Sequence, residues 1–61
     1  MIDTEIFNTL QTAIQNGGTF YKKLAEAALV ADADNKALIF KNWPRLITHY
    51  GPSSPLYVGN K

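Results

Sequence analysis

The chain has 61 residues, no cysteine, and six Lys and Arg against five Asp and Glu, for a net charge of +1. This length holds one domain at most, and so short a chain buries only about 60% of the surface it exposes when unfolded. The composition excludes disulfides and thiolate metal sites and lacks the basic excess of a strong nucleic-acid binder; no apolar run approaches the ~20 residues of a membrane span.

An apolar fraction of 46% is that of an ordinary folded domain. The first residues, MIDTEIF, are acidic and do not read as a secretory leader, so a cytoplasmic protein is expected. Asp3 is placed as the N-cap of a first helix running to Asn16, with Ile2 and Phe7 as a hydrophobic staple and Glu5 favourable to the helix dipole. Ile6, Leu10, Ala13 and Ile14 form its apolar stripe. Asn8, Thr9, Thr12 and Gln15 form its wet side. Gly17 is expected to end the helix in the left-handed conformation.

Thr19 is placed as the cap of a second helix reaching about Ala31. Phe20, Leu24, Ala27, Ala28 and Ala31 share one face, with Tyr21 at its margin. Lys22, Lys23 and Glu26 lie opposite. Leu29 and Val30 make the C-terminal end apolar nearly all round, so this helix is expected to lie against both of its neighbours. The short Gly17-Gly18 link makes the first two helices an antiparallel hairpin.

Asp32 caps a third helix, with Asp34 in its first turn. Asp32-Ala33-Asp34-Asn35 opens like a calcium loop, but Lys36, Ala37 and Trp43 stand where that loop needs an oxygen ligand, a Gly and a Glu. Pro44 costs a helix a hydrogen bond and forces a clash with the preceding turn. A break near Asn42-Trp43 is therefore expected, with Pro44 opening a fourth helix that ends at Tyr50-Gly51; a kinked continuous helix is the alternative. On one helical wheel Ile39, Phe40, Trp43, Leu46, Ile47 and Tyr50 share an apolar arc, which places Trp43 in the core. Lys41, Arg45 and His49 take the opposite side. Lys36 and Leu38 break this division. Pro52-Ser53-Ser54-Pro55 reads as an extended or turn segment. Leu56, Tyr57 and Val58 are expected to pack, either on the chain's own core or on a second copy in a homodimer.

Residues Ala27, Ala28, Leu29, Ala31, Asp32, Asn35, Trp43, Pro44 and Tyr50 resemble a pattern of short helical proteins of tailed phages and prophages. That pattern is an alanine-rich helix, an Ala-Asp-x-x-Asn turn, a helix, and an aromatic-Pro pair leading to a final aromatic. The resemblance covers about half the chain, from Tyr21 to Tyr50. It implies a small phage-type helical protein and brings no active site with it.

The expected architecture is thus all-α, three to four helices over residues 1–51 and a short extended C-terminal tail over 52–61. No set of catalytic roles can be filled: His49 has no carboxylate within a helical turn to orient it. Gly17-Gly18 has neither the following Lys-Ser/Thr nor the preceding strand of a phosphate loop. No cofactor or metal is expected. The expected function is a binding protein that docks on a host or phage protein through an apolar-aromatic patch with a basic rim. Lys41, Arg45, His49 and Tyr57 are the candidate partner-binding residues. The alternative is weak nucleic-acid binding through the basic face of the third helix.

Overall fold

The computed structural model describes residues 1–60. It is all-helical: α1 is Asp3–Asn16, α2 Thr19–Val30, α3 Ala33–Asn42 and α4 Arg45–Tyr50, and a 3-10 turn follows at Val58–Asn60. α1 is the hub. It packs on α2, on α4 and on the closing turn, whereas α3 packs on α2. The fully buried apolar side chains are Leu10 and Ala13 of α1, Ala25 and Ala28 of α2, and Leu46 of α4. Three of these five are alanines, so the helices approach closely over a thin core.

The helix boundaries follow from local chemistry, with differences in the caps. Ile2, not Asp3, is the N-cap of α1. The Glu5 carboxylate accepts the Ile2 N–H at 3.1 Å, so a carboxylate does satisfy an orphan donor, but from the third helical position. Gly18 rather than Thr19 precedes α2. Gly17 is not left-handed: its φ and ψ of −75° and 157° are extended. Glycine is needed there for space, because a Cβ would lie 2.6 Å from the Ala13 carbonyl oxygen and 3.0 Å from the Tyr21 Cβ. Asp32 caps α3 as expected, its Oδ1 accepting the Asn35 N–H at 2.8 Å.

The helix does break before Pro44. Trp43 leaves helical geometry at φ −128°, ψ 71°, and Pro44 sits at the N-cap of α4, one position earlier than expected. α4 then turns back onto α1. The break rotates the two halves of the wheel relative to each other. Leu46 becomes fully buried while Trp43 is left 36% exposed, which corrects its placement in the core. In α2 the buried stripe is also displaced: Ala25 and Ala28 are covered, whereas Phe20 and Ala27 are exposed.

The main departure lies on α1. Thr9 and Thr12, expected on the wet side, are fully buried. Their hydroxyls donate to the carbonyls of Glu5 and Asn8, both at 2.7 Å, so neither is left unsatisfied. What covers them is the C-terminal segment. It is not extended: Ser54 N–H bonds the Gly51 carbonyl and Tyr57 N–H the Ser54 carbonyl, winding residues 51–57 into successive turns. The Ser54 hydroxyl accepts the Leu56 N–H at 3.1 Å. Tyr57 is only 8% exposed, and the Val58 N–H donates to the Thr12 hydroxyl at 3.0 Å. Gly59 fits here because a Cβ would meet the Tyr57 ring. The tail therefore closes on its own core through Tyr57 and Val58, one of the two expected arrangements, whereas Leu56, also expected to pack, is 49% exposed; α1 is buried on two faces.

Candidate binding surface

Four ring contacts run across the α2, α3 and α4 corner. Trp43 and Phe20 have centroids 5.8 Å apart, and Phe20 meets Tyr21 edge-on at 5.3 Å. Tyr21 lies 5.9 Å from Tyr50, which lies 6.1 Å from His49. Tyr21 and Tyr50 are half-buried against the core, whereas Phe20 is 55% exposed. The outer pair, Phe20 and Trp43, is thus held by stacking on a ladder that is itself anchored.

Charge is segregated along the molecule. The hairpin of α1 and α2 brings the start of α1, the end of α2 and the start of α3 to one end. Asp3, Leu29 and Ala33 line one groove there. The Phe20–Trp43 and Tyr21–Tyr50 contacts bring the start of α2 to the α3–α4 junction at the other end. Four of the five carboxylates, Asp3, Glu5, Asp32 and Asp34, belong to the first end, with Lys36 among them; Glu26 lies near the middle of α2, within one turn of Lys22 and Lys23. Lys22, Lys23, Lys41, Arg45 and His49 belong to the second, and all five side chains are exposed. A net charge of +1 therefore conceals a strong dipole.

Of the expected partner-binding residues, the structure brings Lys41, Arg45 and His49 to the aromatic end. Tyr57 does not join them, because its ring is packed in the core. Phe20, Lys22 and Lys23 complete the surface. In the sequence the two lysines stood with Glu26 on the polar side of the second helix, and Phe20 on its apolar face. Trp43 lies between Lys41 and Arg45 in the chain, and its contact with Phe20 brings it to the end of α2 that carries Lys22 and Lys23.

At the acidic end, α3 stands off from α1 and leaves an apolar groove of about 450 Å³. Leu10 and Leu29 lie at its base, Phe7 belongs to the α1 wall, and Ala33, Ala37 and Phe40 form the α3 wall. Asp3 and Lys36 are its charged lining residues. A second, open depression beside His49 includes Asn16, Tyr50 and Leu56. Among the described residues no group of three or more His, Asp or Glu is placed to hold a metal ion, and no helix is long and apolar enough to cross a membrane. No protein family model matches this chain, and no curated protein or solved structure matches it.

Proposed function

We propose that the protein is a non-catalytic binding module that docks on an acidic surface of a host or phage protein through its aromatic-basic end. The observation that carries this reading is the exposed Phe20–Trp43 pair, set among five exposed basic side chains. Rigid aromatic anchors inside a polar rim are the usual energetic centre of a protein interface. Basic residues around them steer an acidic partner and raise its rate of encounter. The phage or prophage origin and the cytoplasmic site of action belong to the same proposal and rest on the sequence alone.

A second reading has its own support. Exposed rings beside unlike-signed phosphate partners are how single-stranded nucleic acid is held without sequence preference. Trp43 is the only tryptophan, so its fluorescence reports occupancy of the patch directly. An acidic, leucine-containing peptide should shift the emission in wild type and fail to do so in Lys41→Glu/Arg45→Glu. A single-stranded oligothymidine that shifts it more strongly, with a steep salt dependence, would replace the protein partner by nucleic acid. Duplex DNA should bind no tighter than about 10 μM at physiological salt. If neither probe moves the emission, the patch is not a docking surface.

A further inference from the structure

The groove between α1 and α3 calls for an occupant of particular chemistry. It is apolar at its base and lies at the end where α1 and α3 begin, with Asp3, Glu5, Asp32 and Asp34 in or beside their first turns. An occupant must therefore offer a compact apolar or aromatic projection with cations around it. The chain itself presents that chemistry at its opposite end, where Phe20 and Trp43 project among Lys22, Lys23, Lys41 and Arg45. The near-equal and opposite charges of the two ends match projection to groove. Two grooves facing each other would instead bring like charges together.

We propose that copies of the protein associate head to tail, the Phe20–Trp43 projection of one seating in the α1–α3 groove of the next. Such an interface is heterologous and leaves a free groove and a free projection at the two ends of every assembly. A standard interface removes about 800 Å² from each partner, a fifth of the 3997 Å² that one molecule exposes. Association would also cover the aromatic-basic end, so a high concentration of the protein would mask its own docking surface. The inference rests on that end being a docking surface, but not on the identity of any other partner.

Sedimentation velocity on two blocked variants tests the inference. Ala37→Arg places a cation and its bulk in the groove at an exposed helical position, and Trp43→Ser/Arg45→Glu removes the projection. Wild type should gain mass with concentration, and raising salt from low to physiological should weaken this on the order of tenfold, since the attraction is between charged ends. Each blocked variant alone should remain a monomer. An equimolar mixture should give a dimer and nothing larger, because only one productive pairing survives. Lys36→Gln removes the one cation from the groove and should strengthen association several-fold, a gain that unfolding cannot imitate. A wild type that stays monomeric at every concentration, a mixture that does not pair, or blocked variants that each associate like wild type would overturn the proposal. If the mixture pairs while acidic peptide leaves Trp43 emission unchanged, the proposed function fails and this inference stands.

Discussion

Replacing Tyr57 by alanine tests whether the C-terminal segment is part of the domain. Tyr57 is 8% exposed, and the Val58 N–H next to it bonds the Thr12 hydroxyl of α1. An aromatic side chain buries about 150–250 Å², worth about 4–6 kcal/mol at full value. Alanine keeps some of that surface and the turns can slump into the space, so a loss of about 3 kcal/mol is expected. A domain of this length has only about 3–9 kcal/mol in total. At about 4–8 °C per kcal/mol, the melting temperature should fall by about 12–24 °C. Leu56→Ala is the matched control: its neighbour is about half exposed and should change stability by less than about 1 kcal/mol. Thermal melts followed by far-UV circular dichroism read both. A Tyr57→Ala protein that melts within about 4 °C of wild type, or a Leu56→Ala protein that loses as much as Tyr57→Ala, would refute the argument that this ring closes the core.

Thr12→Val keeps the shape of the side chain but removes the acceptor for the Val58 N–H; a loss of about 1–3 kcal/mol is expected in the same melts. Thr9→Val should cost less, because its hydroxyl only donates, chiefly to the Glu5 carbonyl. Trp43→Ala should cost about 1 kcal/mol, mostly its stacking on Phe20, and a loss above about 3 kcal/mol in denaturant titration would return Trp43 to the core. Asp32→Ala should cost about 1 kcal/mol without changing the helical spectrum, and added calcium should stabilise neither protein. Gly17→Ala should destabilise by about 1–3 kcal/mol through its clash with the Ala13 carbonyl. Gly18→Ala has nothing within 4 Å and an extended backbone, so it should be neutral or stabilise by up to about 1 kcal/mol.

The helices were legible because their ends are written in strongly local chemistry: the Gly17-Gly18 pair, the Asp32 cap and Pro44. The faces were less legible. Thr9 and Thr12 read as solvated because a hydroxyl usually seeks water, yet each is satisfied by the carbonyl four residues back and can be buried without penalty. Only the distant Tyr57–Val58 segment decides that it is. The candidate surface divides in the same way. Lys41, Arg45 and His49 are all exposed as expected, because a charged or polar side chain of this kind seeks water whatever the phase of its helix. Trp43 was misplaced because its direction depends on the angle of the break at Pro44, which no helical wheel contains. Phe20 was misplaced separately, on an apolar face of α2 whose buried stripe runs instead through Ala25 and Ala28. The groove had no sequence signal: it exists because α3 packs on α2 and stands off from α1, a consequence of tertiary angle rather than of residue pattern.

The bond between Val58 and Thr12 spans 46 residues, and this orders events during synthesis. α1 is made first, but its threonine side cannot be covered until the turns after Gly51 have also been made. Throughout that interval Thr9, Thr12 and Leu10 belong to a helix with one or both flanks open. α2 can close the alanine side early, because the hairpin is local. The threonine side must wait for the long-range contact, and closing it is the slow, entropy-limited part of folding. A released chain truncated between Val30 and Gly51 would therefore keep both helices of the hairpin but leave the threonine side of α1 uncovered. Such a chain is the form of this protein most exposed to proteases and chaperones.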